Sequence, residues 1–224
     1  MRAPLRLYAL ASGAEFAHGV ARTLDVELEP VEERVFEDGE MKVRAERDPR
    51  GADAFVVQSL DGGLEGNVHD RLCRTLMLVG ALQDAGAARV TGVFPYLAYA
   101  RKDRRTKPND PLTLRYVAQM FEAVGLDAVV AFEVHEPAAF ENAFRIPKVA
   151  LDPRELFTER VCQLLADERL VVVSPDPGGL KRAQLFEETL RSRHPHVTGR
   201  AILDKRRSAG VVSGELLAGD VEGA

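Results

Sequence analysis

The sequence predicts an α/β protein built on parallel sheets covered on both faces by helices. Short apolar, β-branched runs such as AFVVQS (Ala54 to Ser59), AVVAFEV (Ala128 to Val134) and LVVVS (Leu170 to Ser174) alternate with longer stretches of helical period. The alternation restarts after Ile146 to Pro153, where two prolines bracket a short apolar segment. The chain is therefore expected to form two domains, 1–148 and 149–224, and the similar rhythm of the two series suggests a duplicated unit.

In chain order, Leu5 to Leu10 reads as a first strand and Ala14 to Leu24 as an amphipathic helix. Phe36 to Glu40 (FEDGE) places an Asp38-Gly39 turn between segments of strand character, the mark of a hairpin. Ala54 to Ser59 is a buried strand and Val68 to Ala85 a helix. Arg89 to Pro95 is a strand, Leu112 to Val124 a helix, and Ala128 to Val134 a strand. The second series runs through a helix at Arg154 to Ala166, a strand at Leu170 to Ser174, a helix at Lys181 to Arg191 and a short strand at Ala201 to Leu203.

Composition narrows the function. With 224 residues and 46% hydrophobic content, the chain can bury a substantial core. Its net charge of -5 argues against nucleic-acid binding, which needs a basic face. No apolar run approaches the roughly 18 residues of a membrane span. The opening MRAPLRLYALASGA imitates a signal peptide, but its apolar stretch is shorter than the roughly 7–15 residues required, so it reads as a strand. Cys73 and Cys162 sit far apart in helical patterns without CxxC spacing, so neither a structural metal nor a disulfide framework is expected, and a reducing cytoplasm is the default location.

Positive charge is local. Arg101 to Lys107 places five basic residues among seven, directly after a strand and ahead of Pro108 and Pro111. Ligands of parallel sheets sit beyond the carboxyl ends of strands, and this sequence sets polar residues at each such end. They are Gln58 and Ser59, the basic loop, Glu133 and His135, Asp176, and Asp204 to Arg207. Glu133 and His135, two apart, point to one side if the strand stays extended, and a carboxylate with an imidazole can ligate a metal or its waters. Ser174 to Arg182 (SPDPGGLKR) runs from strand through a glycine turn into a helix, whose backbone N–H groups can face an anion. Lys205 and Arg207 offer two cations on one side if the segment is extended, which suits a transferring phosphoryl group. Each feature also has a plainer reading: a solvated basic loop, a structural histidine, an ordinary strand-to-helix turn, a solvated charge run. There is neither a GxxxxGK[ST] loop nor a GxGxxG fingerprint.

Taken in order, FEDGE (36–40), FPYLAYARKDRR (94–105), FEVH (132–135), SPDPGGLKR (174–182) and DKRR (204–207) resemble the motif series of the ribose-phosphate diphosphokinases, or phosphoribosyl diphosphate synthetases. Any one of these motifs is weak. Five in the family's order and approximate spacing, from Leu5 onward, make a specific match. The resemblance implies two parallel-sheet domains of the type I phosphoribosyltransferase kind. It implies transfer of the diphosphoryl group of ATP to the 1-hydroxyl of ribose 5-phosphate, with Mg2+, for nucleotide biosynthesis in the cytoplasm. By position, it puts Arg101, Lys102 and Asp103 at the ATP site of a homo-oligomer, with Phe36, Asp38 and Glu40 reaching the adenine from a neighbouring subunit. His135 and Asp176 match the family's Mg2+ positions, Lys205 its catalytic lysine, and Arg207 the arginine that steadies the transferring phosphate.

Three departures from the family's pattern stand out. Glu133 replaces the family's aspartate before the metal-strand histidine, and Lys102 stands where glutamine is common. The family also continues into a strand and a Thr-Gly-Gly-Thr type loop that holds the 5-phosphate of ribose, whereas this sequence stops at Ala224, so its second domain is expected to be incomplete. The chain is thus expected to be the synthetase or, alternatively, a non-catalytic or truncated relative that associates with and regulates the full-length enzyme.

Overall fold

Near-continuous apolar runs put apolar side chains on both sides of a strand and let one sheet bury both faces, and that sheet organises the first part of the chain. The computed structural model describes residues 3–62, 67–208, 211–219 and 221, with the backbone alone for 204–208 and 211–217. Two compact units result, Met1–Leu151 and Asp152–Ala224.

In the first unit the chain runs β1 (Leu5–Ala9), α1 (Ala14–Leu24), β2 (Leu28–Glu29), β3 (Val31–Val35), β4 (Met41–Ala45) and β5 (Asp53–Val57). It continues through α2 (Val68–Asp84), β6 (Arg89–Phe94), α3 (Thr113–Ala123), β7 (Ala128–Phe132), α4 (Pro137–Ala143) and β8 (Lys148–Leu151). Six strands form a sheet in the order β2-β1-β5-β6-β7-β8, every neighbouring pair parallel. The α/β class with a parallel sheet is as the sequence predicts. One face sends Tyr8, Val56, Val90 and Val129 into the main core, against Leu78 and Leu82 of α2, Val117 and Phe121 of α3, and Phe140 of α4. Each such buried side chain contributes about 1.5–3 kcal/mol. The other face packs Leu7 and Val57 against Ala17 and Ala21 of α1. Gly92 admits the Phe94 ring, whose Cζ lies 2.6 Å from where a Cβ would stand. Antiparallel β3 and β4 form a separate hairpin, and β4 packs on α2.

Helix ends follow local chemistry. Asn67 caps α2 by accepting the N–H groups of His69 and Asp70, as short polar side chains do at this position. Gly125 follows α3 at φ +93°, a conformation open to glycine at no steric cost.

The second unit contains α5 (Arg154–Leu164), β9 (Leu170–Ser174), α6 (Leu180–Arg191), β10 (Val197–Ser208) and β11 (Val211–Ala218). Its sheet order is β11-β10-β9, with β9 and β10 parallel and β10 and β11 antiparallel. Glu187 of α6 accepts from Arg191 at 2.9 Å and lies 3.4 Å from Arg200 of β10, joining helix to sheet.

Three segments differ from the sequence reading. The strand expected to run to Val134 ends at Phe132, and Glu133 takes φ +44°, so Glu133 and His135 are not a period-two pair on an extended strand. Asp204 to Arg207 is not a loop after a strand. It lies inside β10, which runs on because β11 pairs with it, and the register shifts between Lys205 and Arg207. Ile146 to Pro153, where the sequence places the boundary between the two series, holds the edge strand β8, tied to β7 by Val129 N–H to Pro147 O (3.0 Å) and Glu133 N–H to Leu151 O (3.0 Å).

Candidate functional site

A parallel sheet brings the carboxyl ends of its strands to one edge, and in the first unit that edge gathers the polar residues singled out in the sequence. The loops after β1 and β5 are joined there by Gln58 Nε2 donating to Ser12 Oγ (2.5 Å). The loops after β5 and β6 are joined by Leu60 N–H donating to Tyr96 O (2.9 Å). Gln58 is fully buried, and Gly13 passes so close that a Cβ would lie 2.7 Å from Val57 O.

The basic loop follows β6. Tyr99 holds φ +61°, a left-handed conformation that a bulky residue adopts only when its surroundings enforce it. Its carbonyl accepts from Lys102 N–H (2.9 Å), and its hydroxyl is hydrogen-bonded to His69 Nδ1 on α2 (2.8 Å). Four of the five cations, Arg101, Arg104, Arg105 and Lys107, are exposed, with no ion pair among the described residues. The fifth, Lys102, donates to Asp110 Oδ2 at 2.9 Å. That bond, followed by those from the Thr106 hydroxyl and backbone, holds the Asp110 carboxyl well below the usual carboxylate range. His135 lies beyond the neighbouring strand β7, exposed at the same edge, and Glu136 caps α4 by accepting from Ala138 N–H (3.4 Å). Arg101, Lys102 and Asp103 thus lie in the loop after β6, and His135 follows β7, the strand paired with β6.

Phe36, Asp38 and Glu40 lie at the exposed tip of the β3–β4 hairpin. Phe36 N–H donates to Glu40 O (2.8 Å), Asp38 Oδ1 accepts from Glu40 N–H (3.0 Å), and the Arg34 guanidinium lies 5.0 Å from the centre of the Phe36 ring. The hairpin is tethered through Glu33. One carboxylate oxygen accepts from Ala11 N–H (2.6 Å) beside α1, and the other from Arg74 Nη1 (3.2 Å) on α2.

In the second unit Asp176 follows β9 and is exposed. Its Oδ1 accepts from Gly179 N–H (2.9 Å), capping the short 3-10 turn Pro177–Gly179 ahead of α6. Lys205 and Arg207 belong to β10 by backbone, and their side chains lie outside the described residues. Among the described residues no group of three or more His, Cys, Asp or Glu side chains is arranged to hold a metal ion. Sequence reasoning missed Asp110 and Glu33. Each lies close to a motif, Asp110 after the basic loop and Glu33 before FEDGE, but their partners become visible only in three dimensions.

The fold and this edge define an α/β protein with an exposed basic loop at the carboxyl ends of a parallel sheet. Residues 5–125 match the N-terminal domain of ribose phosphate pyrophosphokinase. The ribose-phosphate pyrophosphokinase 1 of Streptococcus pneumoniae serotype 4 is 38% identical over 207 residues, covering 91% of this chain and 60% of that protein. That of Streptococcus pyogenes serotype M3 is 37% identical over 205 residues, covering 91% of this chain and 61% of that protein. The crystal structure of phosphoribosylpyrophosphate synthetase from Mycobacterium smegmatis superposes with a TM-score of 0.83 at 31% identity, covering 97% of this chain and 68% of that one. The chain belongs to the ribose-phosphate pyrophosphokinase family. It spans about three fifths of the length of the streptococcal relatives.

Proposed function

We propose that this chain carries the ATP-handling part of a ribose-phosphate diphosphokinase, which moves the diphosphoryl group of ATP to the 1-hydroxyl of ribose 5-phosphate and releases AMP. The observation that carries the reading is the exposed cation set Arg101, Arg104, Arg105 and Lys107 at the carboxyl edge of the sheet, in a chain of this family. Phosphoryl transfer asks little covalent chemistry of a protein; it needs positioning and fixed positive charge. Arg101 and Asp103 bind and orient the nucleotide, Lys205 stabilises charge as the β-phosphorus is attacked, and Arg207 steadies the transferring group.

Mg2+ suits the donor set. This ion keeps several waters and takes one or two carboxylates plus substrate phosphates, so Asp176 can serve it directly and His135 through its waters, without an all-protein cage. His135 and Asp176, each exposed at the end of a strand, are the proposed metal positions, and Asp176 has one carboxylate oxygen beyond the one that caps the turn. When bound, the ion neutralises developing charge on the phosphate oxygens.

Phe36, Asp38 and Glu40, on an exposed hairpin tip, complete a neighbouring subunit's adenine site in a homo-oligomer. The protein has no nucleic-acid or membrane partner in this reading, and its location is the cytoplasm. Among the described residues no helix is long and apolar enough to cross a membrane, and Cys73 and Cys162 are free thiols.

Calorimetric titration with Mg-ATP, beside an assay of AMP release on ribose 5-phosphate, tests the reading. Saturable, Mg-dependent ATP binding that Arg101→Ala weakens is expected. A folded protein that ignores ATP sinks it, and ATP binding without synthesis fits the ATP-handling part alone as well as the regulatory relative. Sedimentation tests the shared site: a monomer that binds ATP at undiminished affinity removes it.

A further inference from the structure

We propose that Asp110 is a positioning residue that holds the 101–107 loop in its anion-receiving form, and that Lys102 belongs to this brace and not to the nucleotide-contacting surface. The inference rests on the reading of this loop as the polyphosphate site, and it assigns its cations two different tasks.

A single carboxylate oxygen does the bracing. Asp110 Oδ2 accepts from Lys102 Nζ at 2.9 Å, Thr106 Oγ1 at 2.7 Å, Thr106 N–H at 3.0 Å and Lys107 N–H at 3.0 Å. These donors lie eight, four and three residues before it, so the carboxylate closes the loop on itself. The backbone supports the same closure: Asp110 N–H donates to Lys107 O (3.2 Å), and Leu114 N–H at the start of α3 donates to Lys102 O (3.3 Å). Lys102 and Asp110 are the sheltered members, with side chains 35% and 22% exposed.

Five cations within seven residues repel one another, and an unbraced loop would spread them. Asp110 offsets one charge and satisfies two backbone amides, leaving Arg101, Arg104, Arg105 and Lys107 turned to solvent. A loop ordered in advance spares the bound anion the entropy of ordering it. The carboxyl is held well below the ordinary range by Lys102 first and Thr106 next, so the brace remains charged throughout the neutral range.

The test compares wild type with Asp110→Asn, Lys102→Gln, the double variant and Arg101→Ala. Amide hydrogen exchange at Thr106 and Lys107 reads the brace without any ligand, and exchange in β5 and β6 serves as the folding control. Calorimetry with Mg-ATP and with inorganic tripolyphosphate reads the site. Asp110→Asn is expected to speed exchange at the two loop amides alone and to weaken both ligands about tenfold. Where turnover is measured, KM for ATP rises and kcat at saturation stays within about twofold. Lys102→Gln costs less, and the double variant costs no more than Asp110→Asn, since both disrupt one brace. Arg101→Ala weakens binding with loop exchange unchanged. Loop amides in Asp110→Asn that exchange at the wild-type rate overturn the brace. Lys102→Gln matching Arg101→Ala in both readouts returns Lys102 to the nucleotide surface and overturns its assignment. Wild-type protein that binds neither ligand, while Asp110→Asn still speeds exchange, overturns the polyphosphate reading and leaves the brace standing.

Discussion

Glu33→Ala should loosen the hairpin that carries Phe36 to Glu40 while leaving the sheet intact. Glu33 is the tether: its carboxylate accepts from Ala11 N–H at 2.6 Å and from Arg74 Nη1 at 3.2 Å, and its side chain is only 18% exposed. A hydrogen bond to a charged group contributes about 1.5–3 kcal/mol when well sheltered. Both bonds share one carboxylate and some solvent reaches them, so the expected loss is about 2 kcal/mol and not the sum of two full terms. For a unit of about 150 residues that corresponds to a fall in its Tm of about 4–8 °C. Glu33→Gln keeps an acceptor for Ala11 N–H but turns an amide toward Arg74, so it should cost about half as much. Calorimetry must follow the first unit's transition, because two compact units need not melt together. Amide exchange in β3 and β4 should rise ahead of any change in β5 or β6. A Tm within about 1 °C of wild type, together with unchanged hairpin exchange, refutes the tether.

Other expectations are more compact. In a complete enzyme, Lys205→Ala should lower turnover by about a hundredfold or more while ATP affinity stays within about threefold, because fixed cations of this kind act mainly in the transition state; parallel losses of rate and affinity would make Lys205 a general anion anchor. Gly13→Ala forces a Cβ to 2.7 Å from Val57 O and 3.1 Å from Gln58 Cα, both backbone atoms, so thermal melts should show about 1–3 kcal/mol of destabilisation. Asp110, held low by Lys102, and Asp152, held low by the Arg154 side chain, both have depressed folded-state values. Their stabilisation is present above the unfolded carboxylate value of about 4 and drains away as pH falls below it toward the folded values. Asp110→Asn should flatten the acid limb of the first unit's stability curve, and Asp152→Asn that of the second, read by unfolding titrations from neutral pH downward.

Local pattern was enough for much of the fold. Ala14–Leu24 and Leu170–Ser174 form with the bounds that periodicity predicts, because a helix face or a buried strand is written in adjacent residues. The basic loop, His135 and Asp176 were legible as strand-end residues for the same reason. Pairing and tethering were not. β10 extends through Asp204 to Arg207 because β11 lies alongside, and β8 forms because β7 offers it an edge. A strand's extent is settled by its neighbour's hydrogen bonds and not by its own composition. Likewise Phe132 ends β7 where Glu133 turns left-handed, although AVVAFEV reads as one extended run. Asp110 gathers donors from across its loop, and Glu33 reaches partners 22 and 41 residues away. By itself the sequence determined where charge and apolar surface fall along the chain. Only the tertiary structure decided which cation is paired and which is left exposed, because a hydrogen bond depends on distance and angle between groups that folding alone brings together.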